Sequence, residues 1–190
     1  MIDLKNKNVC FFDLETTGTY WNCDAPVQIA AVIEYNGKEI EKYNTLVKTN
    51  VNIAPQASKV HGIYRKDLVD APTETMALKD FMAWLKGNEV DVLIGYNSRA
   101  FDLAMLNARC EHFGLNSLFD GKAITHYDGY YDRVKIAKDR NLFNLKTFLG
   151  RKWNLSMVCD CLGIDHTGAH DAFVDVNMLR QVWHKFDGIL

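Results

Sequence analysis

The segment FFDLETTG, residues 11–18, follows Val9-Cys10 and sets two acids, Asp13 and Glu15, at alternate positions of an otherwise apolar run. In an extended strand, residues two apart share a face, so both carboxylates project into one small region. Neighbouring carboxylates repel and resist burial unless cations offset them. No lysine or arginine occurs in residues 8–37 to do so. Alone, the pair fits metal ligation or the two-acid arrangement of a glycosidase.

The surrounding pattern places this strand in a mixed sheet. Val9 to Leu14 reads as one strand, Val27 to Tyr35 as a second and Glu39 to Lys48 as a third, with Asn36-Gly37 as a two-residue hairpin turn between the last two. Helical spacing follows. Thr73 can cap a helix with Leu78, Phe81, Met82 and Leu85 on one stripe, ending at Gly87. Val90 to Gly95 reads as a short buried strand, and Phe101, Ala104, Met105 and Ala108 mark another helix. Residues 114–140 show no clear period and read as loop with a short helix. Helices are expected near 142–149, 154–163 and 171–186. This order predicts an α/β fold, a mixed sheet with helices packed on it.

The chain has 190 residues, of which 48% are hydrophobic, enough for one core, so residues 1–190 are expected to form a single domain. There is no apolar run of about 18 residues, and the start MIDLKNKNV is polar. A cytoplasmic protein without membrane association is expected. The five cysteines are scattered, which argues against a disulfide framework. Cys159-x-Cys161 followed by His166 and His170 could suggest zinc. However, Leu155, Val158, Cys159 and Leu162 have helical spacing, which puts Cys159 in the core and Cys161 on the opposite side.

Two further acids stand where pattern alone would not want them. Asp102 begins the helix after the fourth strand, and Asp175 edges the apolar stripe of the last helix. Each by itself is ordinary: a helix dipole favours an acid in the first turn. Together with Asp13 and Glu15 they make four carboxylates, hard oxygen ligands that suit two Mg²⁺ or Mn²⁺ ions. A two-metal site is a device for displacement at phosphorus and needs a proton acceptor. His170, five residues before Asp175, has the side chain whose ordinary pKa suits that task.

These segments, Asp13-Leu-Glu-Thr-Thr-Gly18, Asn97-x3-Phe101-Asp102 and His170-x4-Asp175, resemble in order the three motifs of the DnaQ-like DEDDh 3′–5′ exonucleases. The motifs span nearly the whole chain. The resemblance implies a ribonuclease-H-like fold, a mixed five-stranded sheet with its first three strands antiparallel, flanked by helices. It also implies hydrolysis of terminal phosphodiesters to nucleoside 5′-monophosphates. By motif, Asp13, Glu15, Asp102 and Asp175 would hold two divalent cations, Mg²⁺ or Mn²⁺, with Asp13 shared between them, and His170 would be the general base. Leu14, Thr16 and Thr17 would face the terminal nucleotide, as would Asn97 and Phe101. The stretch Pro55 to Ile63 resembles a family segment near the active site, which makes Gln56 and His61 contact candidates. His61 fits equally well as a loop histidine supporting a turn at Gly62. Two positions depart from the family's habit: Gln28 where glutamate is common, and Tyr96 where histidine often precedes the second motif's asparagine.

The implied partners are single-stranded 3′ ends of DNA or RNA, and a DNA polymerase for a proofreading relative. Net charge is −2, but residues 133–152 carry a local +6. That stretch reads either as a solvated helix face or as a strand-contacting surface. The competing readings are a non-catalytic nucleic-acid-binding or scaffold protein of the same fold, and an endonuclease of the broader fold.

Overall fold

The structure, a computed structural model, describes residues 2–116, 124–139 and 153–186. Five strands form one sheet in the order β3-β2-β1-β4-β5. The strands are β1 (Asn8–Thr16), β2 (Pro26–Tyr35), β3 (Lys38–Leu46), β4 (Val92–Gly95) and β5 (Thr125–Asp128). β1 pairs antiparallel with β2 and parallel with β4, so the acid-bearing strand lies at the centre. The β2–β3 hairpin turns at Asn36 and Gly37, both at positive φ (50° and 75°), the conformation a primed turn requires. Helices α1 (Pro55–His61), α2 (Glu74–Gly87), α3 (Asp102–His112), α4 (Lys135–Asp139), α5 (Leu155–Leu162) and α6 (Ala172–Phe186) surround the sheet. This is the mixed, ribonuclease-H-like arrangement that the resemblance implied.

Strand alternation divides the core in two. Val9 and Phe11 of β1 pack with Ala30, Val32, Val158, Val176, Leu179 and Trp183 on the α5–α6 side. Cys10, Phe12 and Leu14 pack with Ile29, Ala31, Leu78, Phe81 and Leu106 on the α2–α3 side. Asp13 and Glu15 continue the Val9–Phe11 face, so they point toward the beginning of α6 while Leu14 anchors the strand from behind.

One correction concerns residues 114–140. They contain β5, which pairs parallel with β4, and a short π-helix over Tyr130–Val134 leading into α4. β5 has four residues, Thr-His-Tyr-Asp, with one neighbouring strand, so it carries no apolar alternation to read. The helix expected near 142–149 lies outside the described residues. Cys159 is buried and Cys161 exposed, as helical spacing requires.

Candidate active site

Three elements deliver the acids. β1 brings Asp13 and Glu15; the first turn of α6 brings Asp175, and carboxylate oxygens of these three lie within 4.8 Å of one another. Asp102 opens α3 and is 5% exposed. It stands outside that trio but lines the same groove, of about 520 Å³, and its charge acts on Asp13.

The electrostatics are unfavourable for the bare site. Burial, then the charges of Asp102, Asp175 and Glu15, raise the Asp13 carboxyl well above its ordinary value. Burial followed by Asp175 and Asp102 pushes Glu15 up to about 8. Burial raises Asp102 to about 7, with Asp128 adding to it and the Leu14 backbone hydrogen bond opposing it. Asp175 is raised by burial, against the hydrogen bond from His170. Among the described residues, none of the four has a lysine or arginine ion pair. An oxygen-only donor set, with Glu15 and Asp102 buried, Asp13 and Asp175 half-buried and no lysine or arginine ion pair among the described residues, fits a hard divalent metal, whose charge would oppose each of these shifts.

The His170-x4-Asp175 spacing has a local cause. The His170 backbone N–H donates to Asp175 Oδ1 at 3.2 Å, and His170 takes φ of 73°, so its side chain turns outward and is exposed. Asp171 caps α6, its Oδ1 accepting from the N–H groups of Phe173 and Val174. Gln28 of β2, the Cα partner of Glu15, holds this corner to the sheet. Its amide donates to Asp171 Oδ2 (3.3 Å) and Asn44 Oδ1 (3.1 Å) and accepts from the Ala172 N–H (3.2 Å). A glutamate there could not donate to Asp171 and would add a further charge to the cluster.

The other candidates divide. Leu14, Asn97 and Phe101 line the groove. Thr17 is fully buried and does not. Its hydroxyl donates to Asp24 Oδ1 (2.7 Å), its N–H to Ala25 O, and its carbonyl accepts from Ala54. Thr16 closes on Gly18 O through its hydroxyl. Gln56 is exposed on α1, away from the groove lining. His61 is half-buried: Nδ1 accepts from the Ile63 N–H (3.0 Å), so Nε2 carries the proton and donates to Thr16 O (3.2 Å). Burial, opposed by that Thr16 bond and then aided by the charge of His170, lowers its pKa.

Several residues escaped the sequence reading. Thr19, Trp153 and Asn154 also line the groove, and Tyr96 Oη donates to Trp153 O at 2.6 Å, joining β4 to the approach to α5. Asp128, fully buried at the end of β5, accepts from the backbone N–H groups of Asn97 (2.9 Å), Arg99 (3.1 Å), Tyr130 (3.0 Å) and Tyr131 (3.4 Å). It thereby fixes the turn at Asn97, which has φ of 58°. Of the basic stretch, Arg133 is buried with its guanidinium 4.2 Å from the Trp183 ring centroid, and Lys135 pairs with Asp139. Arg140, Lys146, Arg151 and Lys152 lie outside the described residues.

Comparison with known proteins agrees with this geometry. The RNase T exonuclease family profile matches residues 10–182, and the chain belongs to that exonuclease family. It is 29% identical over 188 residues to DNA polymerase III subunit epsilon of Buchnera aphidicola, covering 93% of this chain and 73% of the relative. It is 25% identical over 183 residues to the PolC-type DNA polymerase III of Staphylococcus saprophyticus, covering 95% of this chain but 12% of that polymerase. Among solved structures, the zinc-bound E. coli ExoI–single-stranded DNA complex shares the fold, with a TM-score of 0.81 and 21% identity over 96% of this chain and 41% of that one. No helix among the described residues is long and apolar enough to cross a membrane.

Proposed function

We propose that the groove is the hydrolytic centre of a metal-dependent 3′–5′ exonuclease, formed by a single domain, that removes terminal nucleotides of DNA or RNA as nucleoside 5′-monophosphates. The observation that carries this reading is the convergence of four carboxylates, with no lysine or arginine ion pair among the described residues, on one groove beside an exposed histidine. Asp13, Glu15, Asp102 and Asp175 would hold two divalent cations, Mg²⁺ or Mn²⁺, with Asp13 serving both. Bound there, such ions acidify water and stabilise negative charge on the leaving oxygen.

The chain's own residues do the rest. His170, held over Asp175 by its backbone N–H, accepts a proton from the attacking water through its imidazole. Asp102 and Asp13 would hold the ions, and Gln28 ties the α6 corner to β2 by accepting from the Ala172 N–H. Asn97 and Phe101 meet the terminal nucleotide, the first by its amide and the second by its ring face. The relatives named as DNA polymerase III proteins support a polymerase as partner, and the ExoI complex with single-stranded DNA supports a single strand as substrate.

The test is digestion of 5′-labelled single-stranded DNA, duplex DNA and RNA with Mg²⁺ or Mn²⁺ against an EDTA control. A ladder shortening from the 3′ end is expected in metal and none in EDTA. Absence of shortening on all three substrates sinks the reading.

A further inference from the structure

We infer that His126 and Asp128 are positioning residues for the groove: from β5 they lock the turn at Asn97–Arg99 and so set where α3 presents Asp102. This rests on the nuclease reading above and deepens it, because it assigns part of the site's geometry to a strand that lines no part of the groove.

The two residues lie two apart on β5 and so share a face. β5 runs beside β4 to the end of that strand, where Asp128 is the Cα partner of Gly95. The chain then turns through Asn97, at φ of 58°, toward Phe101 and Asp102. Asp128 reaches across this turn, its Oδ1 accepting from the Asn97 N–H (2.9 Å) and its Oδ2 from the Arg99 N–H (3.1 Å). Ser98, between them, is fully buried, and its hydroxyl shares a hydrogen bond with His126 Nε2 (2.9 Å). Three successive residues are thus tied to one strand. The approach is close enough that a Cβ at Gly95 would collide with the Ser98 side chain. Asp132 completes the lock: it pairs with Arg99 (3.5 Å), and its Oδ2 accepts from the Asp128 N–H (2.6 Å).

The turn sets the helix. The Ser98 carbonyl accepts from the N–H groups of Phe101 (3.2 Å) and Leu103 (2.9 Å), while Phe101, at the head of α3, supplies no side-chain cap. A shift of Ser98 is therefore passed to Phe101 and Asp102, and a shift at Asn97 moves a second residue of the groove lining. Partners that orient a metal ligand from behind matter to metal affinity nearly as much as the ligand does.

The test compares wild type with Asp128→Asn, His126→Ala and His126→Gln, and with Arg180→Met as a variant destabilised away from the groove. An amide at 128 cannot accept on both atoms, so the N–H of Asn97 or of Arg99 loses its partner. Three quantities are read: Mn²⁺ affinity by calorimetry, amide hydrogen exchange over residues 97–103 without metal, and kcat and KM per folded molecule on a single strand. Asp128→Asn is expected to weaken Mn²⁺ binding roughly 10- to 100-fold, to speed exchange at the turn and to raise KM. His126→Ala should do the same to a smaller extent, and His126→Gln, whose amide can reach the Ser98 hydroxyl, should restore it. Arg180→Met should match wild type in Mn²⁺ affinity and KM. Wild-type Mn²⁺ affinity and exchange in Asp128→Asn overturn the inference, as does an equal Mn²⁺ loss in Arg180→Met, which would reduce the effect to stability. If Asp128→Asn does not fold, the two His126 variants decide, and failure of glutamine to restore what alanine loses overturns the inference. A wild type that cleaves nothing sinks the nuclease reading alone, while the Mn²⁺ and exchange comparisons still decide the positioning.

Discussion

Two regions of the sheet bury carboxylates and treat them in opposite ways. Near the hairpin end of β2, Glu34 is 3% exposed and is met by Arg180 Nε (2.6 Å) and His184 Nε2 (2.7 Å) from α6. Burial pushes its carboxyl up, but the hydrogen bonds and charges of His184 and Arg180 more than offset this and leave it below its ordinary value. Glu74 at the start of α2 is likewise gripped by Arg109 and by the Thr49 hydroxyl (2.9 Å). At the groove, Asp13, Glu15, Asp102 and Asp175 are supplied with no such partner among the described residues, and every one of them is raised. The same fold therefore gives Glu34 and Glu74 cationic partners, gives the buried Asp128 four backbone N–H groups, and leaves the groove acids with no lysine or arginine ion pair among the described residues. Uncompensated burial, rather than acidity, distinguishes the site.

This contrast is broken most sharply by neutralising one acid on each side. Asp13→Asn is expected to reduce nuclease turnover roughly 10⁴-fold, since metal ions contribute several kcal/mol to the barrier. It should leave the melting temperature in EDTA unchanged or higher, because it removes a carboxyl whose ionisation burial and the neighbouring carboxylates oppose. Thermal melting and single-turnover hydrolysis on the same preparation check both parts. A large loss of stability would place Asp13 with Glu34 rather than apart from it. His170→Ala follows, with an expected loss of about 10³-fold, as for a removed general base. Mn²⁺ binding, followed by calorimetry, should stay intact, since only the N–H of residue 170 touches Asp175.

On the structural side, Arg180→Met should destabilise the protein by about 2–3 kcal/mol, because it strips a charged partner from a buried carboxylate. Urea unfolding measures the loss. Turnover per folded molecule should hold near wild type, and a fall comparable to that of His170→Ala would show that the Glu34 cluster reaches the groove.

How much of this was legible depended on where the signal lay. β1 to β3 could be read because alternation and the Asn36-Gly37 turn are local. Asp13 and Glu15 announced themselves by sharing a strand face without nearby cations. β5 could not be read, because four mostly polar residues on a sheet edge leave no period. Asp128 escaped for a related reason: it serves four backbone N–H groups, and backbone partners write no pattern into side chains. Gln28 stood out only as a departure from family habit. Its work becomes visible when α6 returns to β2 across 144 residues of sequence separation. His61 met the turn description through Ile63, yet its other nitrogen reaches Thr16 beside the acids.

The smallest effect, and the one that sharpens the comparison most finely, is the pH dependence of stability without metal. Glu15 and Asp102, raised from 4.5 to about 8 and from 3.8 to about 7, hold protons in the folded state that the unfolded chain has already released. Between those values the folded state binds more protons, so stability falls as pH rises and levels off above the folded pKa. Glu34 acts with the opposite sign: its lowered pKa gives stability present above the ordinary carboxylate range and lost as pH falls through the folded value. The metal-free protein should therefore lose melting temperature from about pH 5 to about pH 8, in the window these raised acids define. Mn²⁺ should flatten that decline, because a bound cation favours the ionised carboxylates and its binding stabilises the folded state. Glu15→Gln should remove part of the decline and Glu34→Gln none of it. Parallel melting profiles in EDTA and in Mn²⁺ across that range would show that the groove acids are already balanced within the fold, and the distinction between the two regions would collapse.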